Sequence, residues 1–359
     1  MRTIGVLNSG GDAAGLNTVI AALVTTGAPL GYRFLGFEKG WEGILDPVMY
    51  QELTPQSVKR IAHLGGTILR TANKGRFAGK SGGPNQVNSI PEEILDMAVR
   101  NLKALDVEGL IVIGGDGTLS AAMQLSEHGV RIIGVPKTID NDLPSTDQTF
   151  GFSTAVQVAV DAIDRLHTTA ESHERVIFVE CMGRFAGWIA LYAALAGGAD
   201  CVIVPEVSCS SEEILTFLRK RRNEGYHHSI VVVAEGVALE DGEHVGRDTG
   251  TPELTLGGIS EQIMQTINKM APGEFEMRNT VLGHTQRGGT PNAEDRILAK
   301  KYAVAAMHAY HNGESGQMVA LRGKDIILQP ISDAGGPLRG VTPDCIEYQT
   351  ARALGIVIR

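Results

Sequence analysis

Two short motifs in this sequence contain the residue types that phosphoryl transfer requires. Residues 114–118 read G-G-D-G-T, residues 136–142 read P-K-T-I-D-N-D, and each motif directly follows an apolar run. Glycine-rich backbone can approach phosphates, one carboxylate can hold Mg²⁺, and another can act as a base. The two motifs therefore predict a site for phosphoryl transfer.

Strands must bring these motifs together. The apolar runs at 110–113 and 132–135 are typical of strands, and the segment between them has a helical pattern. Ligands of open α/β sheets bind beyond the carboxyl ends of the strands. Two consecutive strand ends can therefore open onto one cleft.

The same alternation of strand and helix continues along the chain, which predicts an α/β protein with mainly parallel sheets. A chain of 359 residues is expected to form one or two domains, and a glycine-flanked turn near Gly151 is the expected boundary. The other predicted strands are residues 3–7, 33–37, 175–180, 200–204, 229–234, 279–282 and 318–321.

Composition excludes several classes of function. A formal net charge of −9 argues against general binding to nucleic acid or to a membrane surface. No apolar stretch reaches the roughly 18 residues of a membrane span, and the chain opens on a strand-like run instead of a signal peptide. The four cysteines have no C-x-x-C spacing, so we expect reduced thiols and a cytoplasmic location.

Two loops offer further groups for phosphate. Residues 8–15, N-S-G-G-D-A-A-G, lie between the first strand and a helical pattern, where backbone N–H groups can meet a phosphate. The spacing is not G-x-G-x-x-G, and a tight structural turn is the alternative. Residues 65–83 carry Arg70, Lys74, Arg76 and Lys80, which either contact phosphate or are simply solvated.

Charged residues also follow later predicted strands, namely Arg184, Glu235, His284 and Arg287. One such residue is commonly a cap or a surface group. Acidic and basic residues at successive strand ends together indicate a phosphorylated ligand.

Four motifs in this order resemble those of the phosphofructokinase A family: G-G-D-G-T, P-K-T-I-D-N-D, M-G-R-F-A-G at 182–187, and L-G-H-T-Q-R-G-G at 282–289. The segment V-L-N-S-G-G-D-A-A-G-L-N at 6–17 and P-E-V at 205–207 fit as well. G-G-D-G-T alone also resembles NAD kinases and diacylglycerol kinases, but those families lack the later motifs. The resemblance spans nearly the whole chain.

This resemblance implies two Rossmann-like α/β domains with the active site in the cleft between them. Residues 1–150 plus about 286–336 are expected to bind the phosphoryl donor, and residues 151–285 plus about 337–359 the sugar phosphate. The implied reaction is the Mg²⁺-assisted transfer of the γ-phosphoryl group of ATP to the 1-hydroxyl of fructose 6-phosphate, a step of glycolysis.

The resemblance also implies residue roles. Asp140 would be the general base, with Thr138 and Asp142 beside it and Arg184 stabilising the transferring group, while Asp116 would hold Mg²⁺. The residues expected at the donor are Gly10, Gly11, Asp12, Lys74, Gly115, Gly117, Thr118 and Lys137. Those expected at the sugar phosphate are Thr138, Met182, Gly183, Arg184, Glu235, His284 and Arg287. Arg175 and Arg278 resemble arginines that cross a subunit interface, which implies a homotetramer, or a dimer, with shared sites.

The phosphoryl donor is the open question. Pyrophosphate-dependent family members tend to have a second Asp in the first motif and Lys in the second, whereas well-known bacterial ATP enzymes have Gly at both places. This chain combines Gly117 with Lys137. An Asp at position 117 would place bulk and negative charge where the α-phosphate must pass, so Gly117 favours ATP. A pyrophosphate-dependent enzyme is the alternative.

Other departures from the family pattern bear on catalysis and regulation. Asn73 replaces an arginine that bridges the two substrates, and Lys74, Arg76 or Lys137 could supply its charge. Ala21, Thr25 and residues 225–228 differ from the effector-binding residues of bacterial members, so that effector site is expected to be absent or altered. A non-catalytic regulatory subunit is disfavoured because Asp116 and Asp140 are present. Another sugar phosphate, such as sedoheptulose 7-phosphate, could also be accepted.

Overall fold

The computed structural model describes residues 2–72, 75–77, 89–238, 246–247 and 255–359. Its strands are β1 (Arg2–Asn8), β2 (Tyr32–Phe37), β3 (Tyr50–Leu53), β4 (Val107–Gly114), β5 (Arg131–Thr138), β6 (Phe150–Gly151), β7 (Val176–Cys181), β8 (Cys201–Ile203), β9 (Ser229–Ala234), β10 (Gly246–Arg247), β11 (Thr255–Leu256), β12 (Met277–Val281), β13 (Gln317–Arg322), β14 (Asp325–Pro330) and β15 (Val357–Ile358). Its α-helices are α1 (Leu16–Gly27), α2 (Glu92–Ala104), α3 (Asp116–Glu127), α4 (Phe152–Ser172), α5 (Trp188–Gly197), α6 (Ser211–Asn223), α7 (Ile259–Met270), α8 (Ala293–His311) and α9 (Ile346–Ala353).

The chain divides into two compact units. Unit 1 comprises Met1–Thr154 and Arg287–Leu338, and unit 2 comprises Ala155–Gln286 and Arg339–Arg359. Each unit has its own mainly parallel sheet, so the predicted α/β class is confirmed. None of the helices among the described residues has the length and apolar character that a membrane span needs.

The sheet of unit 1 has the order β14-β13-β5-β4-β1-β2-β3, and β6 pairs with the far end of β5. Its central strands are parallel, and only the edge strands β3 and β14 run antiparallel to their neighbours. Buried side chains alternate between its two faces: Ile111 and Ile113 pack with α1 and α8, whereas Leu110 and Val112 pack with α2 and α3. Helices on both faces explain why these strands are almost continuously apolar.

One sequence prediction in this sheet was wrong. The pattern ended the strand at Val135, but β5 continues through Thr138, so Lys137 and Thr138 are strand residues. Pro136 is tolerated because it lies opposite Gly114, the last residue of β4, where the ladder is ending.

The sheet of unit 2 has the order β12-β7-β9-β8-β15, with every neighbouring pair parallel. Helix α5 packs against β8 and β9, and α7 packs against β7 and β12. The carboxyl ends of β7, β9 and β12 lead into the segments that contain Arg184, Glu235 and His284 respectively. The strand order thus places these three segments at one edge of unit 2.

Candidate active site

The glycine-rich loop after β1 is tied to its neighbours through backbone groups. Gly10 has a φ of +82°, its N–H donates to the carbonyl of Ala72 at 3.2 Å, and its own carbonyl accepts from Thr71 Oγ1 at 2.6 Å. Ser9 N–H donates to the carbonyl of Ile113 in β4 at 3.1 Å. The loop is therefore held at the carboxyl ends of β1 and β4.

Two cations lie against the carbonyls of this loop. The ammonium of Lys137, which is buried, donates to the carbonyl of Gly11. Arg287 Nη1 donates to the carbonyl of Asp12 at 3.1 Å. A Cβ at position 11 would lie 2.5 Å from Arg287 Nη1, so this approach of the guanidinium requires a glycine. The sequence placed Arg287 at the sugar phosphate, but in unit 1 its observed neighbour is the first loop.

Charged side chains converge on Lys137. Burial and the nearby Arg287 guanidinium lower the pKa of the lysine to about 8, whereas Asp140, Asp12 and Asp116 act in the opposite direction. These three carboxylates come from three different segments of unit 1: the loop after β1, the first residue of α3 and the loop after β5. The fold thus brings together residues that the sequence could associate only by motif.

The end of β4 leads directly into helix α3. Gly115 is the N-cap of this helix, Asp116 is its first residue, and Thr118 is buried in its first turn. A Cβ on Gly114 would lie 2.3 Å from Cβ of Thr118, so the tight connection requires glycine there. A helix N-terminus presents unpaired N–H groups and positive potential, both of which favour phosphate.

The loop after β5 holds Asp140 in a defined position. Its N–H donates to Thr138 Oγ1 at 3.0 Å, and Thr149 Oγ1 donates to the carbonyl of Thr138 at 2.7 Å. Asn141, with a φ of +54°, accepts the N–H of Thr149 at 3.0 Å. Asp140 is only 5% exposed, and its Oδ1 has no hydrogen-bond partner among the residues that the structure describes. A buried carboxylate oxygen of this kind can accept a proton or a hydrogen bond from a ligand. Asp142 is buried in the same loop.

The carboxylates of unit 1 fit a Mg²⁺ ion that arrives with a phosphorylated ligand. Within the described ranges, no group of three or more Asp, Glu, His or Cys side chains is arranged to hold a metal alone. Mg²⁺ usually takes one or two carboxylates and completes its shell with water and substrate phosphates. Asp116, at a helix N-terminus that favours phosphate, meets that requirement.

In unit 2, the segment after β7 makes a strained turn. Gly183 and Arg184 have φ values of +149° and +48°, and Gly183 accepts the N–H of Ala186 at 3.0 Å. Arg184 N–H donates to Glu235 Oε1 at 3.2 Å, and Gly183 N–H reaches the same oxygen at 3.4 Å. Met182 N–H donates to Oε1 of Gln286 at 2.8 Å. The sequence interpretation missed Gln286, although it lies inside G-H-T-Q-R-G-G, because a buried glutamine carries no charge signal.

The two arginines expected at a subunit interface share one carboxylate. Arg175 Nε lies 2.7 Å, and Arg278 Nη2 2.9 Å, from Oε1 of Glu276. His284 is exposed in the turn Gly283–Gln286. Arg175 and Arg278 lie at the amino ends of the parallel strands β7 and β12, whereas His284 follows the carboxyl end of β12. His284 and Arg278 are accessible to solvent.

The basic loop after residue 65 is only partly described. Asn73 and Lys74 lie outside the described residues. Arg76 is engaged with Glu42, to which it donates through Nε at 3.1 Å and Nη2 at 2.9 Å. Lys74, Arg76 and Lys137 are the candidates to supply the positive charge of the arginine that Asn73 replaces. Of these, Arg76 is paired with the carboxylate of Glu42, and Lys137 donates to the carbonyl of Gly11.

A family model, sequence relatives and a solved structure each match most of this chain. The family model described as Phosphofructokinase matches residues 3–310. The ATP-dependent 6-phosphofructokinase of Chloroflexus aurantiacus is 47% identical over 358 residues, which cover 99% of this chain and 97% of that protein. The pyrophosphate–fructose 6-phosphate 1-phosphotransferase of Streptomyces coelicolor is 45% identical over 349 residues, covering 96% and 97% of the two chains. The crystal structure of Pichia pastoris phosphofructokinase in the T-state superposes with a TM-score of 0.80 at 27% identity, over 93% of this chain and 35% of that longer one.

Proposed function

We propose that this chain, which belongs to the phosphofructokinase family, is an ATP-dependent 6-phosphofructokinase. It transfers the γ-phosphoryl group of ATP to the 1-hydroxyl of fructose 6-phosphate and yields fructose 1,6-bisphosphate and ADP. The observation that carries this proposal is the buried Asp140 carboxylate, with an unpartnered oxygen among the described residues, in the group of charges around Lys137.

Asp140 acts as the general base. The 1-hydroxyl oxygen of the sugar attacks the γ-phosphorus, the bond from that phosphorus to the β-phosphate oxygen breaks, and the hydroxyl proton moves to the Asp140 carboxylate. Thr138 supports this geometry because its Oγ1 accepts the Asp140 N–H at 3.0 Å and it is the last residue of β5, directly before the loop. Asp142, buried two residues further on, supports the metal or the base.

Asp116 holds Mg²⁺ in this proposal, and the ion, when bound, neutralises charge on the transferring phosphates. The donor phosphates meet the N-terminus of α3, at Gly115, Gly117 and Thr118, and the first loop, at Gly10, Gly11 and Asp12. Lys137 contributes a fixed cation beside that loop. Lys74 remains a proposed donor contact that lies outside the described residues. Unit 1 is thus proposed as the donor domain.

Unit 2 is proposed as the sugar-phosphate domain. Arg184 stabilises charge on the transferring group, and Met182, Gly183 and Glu235 surround the sugar. Because the N–H groups of residues 182–184 donate within the protein and the Gly183 carbonyl accepts from Ala186, the side chains of Met182 and Arg184 are proposed to contact the sugar. His284 binds the 6-phosphate together with Arg287.

Arg175 and Arg278 are proposed to complete this pocket from a neighbouring subunit of a homotetramer, or of a dimer. Their shared partner Glu276 holds both guanidinium groups at the amino ends of β7 and β12, which supports a joint role. A cytoplasmic location is part of the proposal, since the four cysteines have no C-x-x-C spacing and fit reduced thiols in a reducing compartment.

ATP is the proposed donor because Gly117 adds neither bulk nor charge beside Asp116. Relatives of 47% and 45% identity have ATP-dependent and pyrophosphate-dependent names, so overall similarity does not choose the donor. Lys137 is compatible with ATP, since its ammonium is occupied by the Gly11 carbonyl. Pyrophosphate is the alternative donor.

A coupled assay with fructose 6-phosphate and Mg²⁺, run in parallel with ATP and with pyrophosphate, tests this proposal. Turnover with ATP alone is the expected result. Turnover with pyrophosphate alone would reject the steric role of Gly117, and no turnover with either donor would reject the kinase itself. A Gly117→Asp variant sharpens the choice, because the added side chain should impair ATP more than pyrophosphate.

A further inference from the structure

Three consecutive backbone N–H groups of unit 2 point at side-chain oxygens. Met182 donates to Gln286 Oε1, while Gly183 and Arg184 donate to Glu235 Oε1, at distances of 2.8, 3.4 and 3.2 Å. Runs of N–H groups in a turn with left-handed residues usually form a concavity for an anion or another acceptor. Here the protein fills that concavity with its own side chains.

The backbone that these acceptors hold is strained. Arg184 has a φ of +48°, a left-handed conformation that is costly for a residue with a Cβ. Such a conformation persists when surrounding groups over-determine it, and it concentrates at functional sites. Gly236 contributes to the constraint, because a Cβ there would lie 1.6 Å from the carbonyl oxygen of Arg184.

Gln286 is the neutral member of this arrangement, and it is fully buried. Its Oε1 accepts from Met182, and its Nε2 donates to the carbonyl of Ala155 in α4 at 3.3 Å. Both ends of the amide are therefore engaged, so its orientation is set. Strand β12 pairs in parallel with β7, and the pairing extends to Leu282, whose N–H donates to the Glu180 carbonyl at 3.0 Å. Gln286 follows four residues later, so the sheet fixes the start of its segment beside the turn.

The Arg184 side chain is exposed, and its guanidinium lies 6.0 Å from the centroid of the Phe185 ring. The backbone from which this side chain projects belongs to the strained turn, and the acceptors at the start of the turn hold that backbone. We propose that Gln286 is a positioning residue for Arg184, acting through the Met182 N–H. This inference rests on the proposed function, in which Arg184 stabilises the transferring phosphoryl group.

A double-mutant cycle tests the inference. We expect Gln286→Met to lower kcat/KM for fructose 6-phosphate about tenfold, the size of effect that the loss of one buried hydrogen bond produces. The KM for ATP should be unchanged. In an Arg184→Ala background the same substitution should change kcat/KM less than about twofold, because no guanidinium remains to be positioned. A purely structural role would give equal factors in both backgrounds, and that outcome overturns the proposal.

Two further substitutions keep the test decisive if Gln286→Met does not fold. Gln286→Glu retains an acceptor for the Met182 N–H but gives up the Nε2 bond to the Ala155 carbonyl and buries a carboxyl there, so it should lower kcat/KM by about threefold. Gln286→Asn shortens the side chain, loses both bonds and should behave like the Met variant. Equal losses in Glu and Asn variants would overturn the proposal.

Gln124→Met is the matched control. Gln124 Oε1 accepts the N–H of Ile90 at 2.9 Å in unit 1, so the same substitution removes the same kind of bond away from the proposed site. Its kinetic constants should match those of the wild type. If the wild-type protein turns over neither donor, the proposed function falls and takes this inference with it; if the wild type is active and the cycle is additive, only the role of Gln286 falls.

Discussion

Units 1 and 2 prepare their candidate site residues by different physical means. In unit 1, charged side chains gather around a buried lysine: Lys137 and Arg287 contact the carbonyls of the first loop, and Asp12, Asp116 and Asp140 act on the lysine. In unit 2, a strained backbone turn is held by Glu235 and Gln286. The first arrangement fixes charge, and the second fixes the backbone from which a charge projects.

This difference predicts different sensitivities. A buried charge is sensitive to neutralisation and to pH, because its pKa depends on burial and on its neighbours. The conformation of a strained turn is sensitive to any added atom that displaces its backbone, even when the substitution is as small as glycine to alanine. The following variants separate these two behaviours.

Asp140→Asn should have the largest effect. Removing the proposed base should lower kcat by about 10²–10⁴-fold, the usual contribution of general base catalysis, with little change in the KM for fructose 6-phosphate. Steady-state kinetics measure both constants. Asp147→Asn is a control, since Asp147 is half-buried and paired with Arg322 at 2.7 Å. Near-normal turnover of Asp140→Asn would refute the base assignment.

Gly236→Ala tests the backbone mechanism of unit 2. The new Cβ would meet the Arg184 carbonyl at 1.6 Å, so the turn must shift, and we expect kcat/KM to fall about 10²-fold, as a displacement of about 1 Å can cause. Gly335→Ala is the matched control because its Cβ would meet its nearest atom at 3.4 Å, an ordinary contact. If both variants behave alike, the turn is not sensitive to its neighbour and the contrast between the units is lost.

Arg287→Met decides which substrate this arginine serves. The family resemblance assigns it to the sugar 6-phosphate, and we expect the KM for fructose 6-phosphate to rise about tenfold, as loss of one charge-assisted contact does. Its contact with the Asp12 carbonyl at 3.1 Å offers a donor-side role instead. A rise confined to the KM for ATP would move Arg287 to the donor loop.

Lys137→Met should have the smallest effect and should change stability and activity in opposite directions. Below pH 8 the lysine is charged in both the folded and the unfolded state, and burying that charge is unfavourable. The variant avoids this cost but loses the hydrogen bond to the Gly11 carbonyl. Its free energy of unfolding should therefore be higher than that of the wild type by about 1 kcal/mol.

The pH dependence of this difference has a defined sign. The pKa of Lys137 is about 8 in the folded protein, below its ordinary value of 10.5, so the unfolded state binds more protons between these values. The free energy of unfolding of the wild type should therefore rise relative to that of the variant as the pH increases through this window. The advantage in stability that the variant has at pH 7 should shrink accordingly. Denaturant titrations at pH 7 and pH 10 measure it, and an unchanged difference would contradict the depressed pKa. The kcat/KM for the donor should fall a few-fold in the variant.

Much of this protein is determined by its sequence alone. The apolar, β-branched runs predicted the parallel strands because such runs are buried on both faces of a sheet, and they located Ser229–Ala234 to the residue. The order of four motifs indicated the phosphofructokinase family, which the family model and the relatives confirm. Local patterns suffice for these conclusions, since each depends on residues close together in the chain.

Only the tertiary structure decided how the site residues are partnered. The Lys137–Gly11 contact joins residues 126 positions apart, Arg287–Asp12 joins residues 275 apart, and Gln286–Met182 joins residues 104 apart. The depressed pKa of Lys137, the surroundings of Arg287 and the part assigned to Gln286 all follow from such contacts. Burial and hydrogen bonding are properties of the packed chain, so a motif can name a residue as polar or charged while its neighbours determine what that group can do.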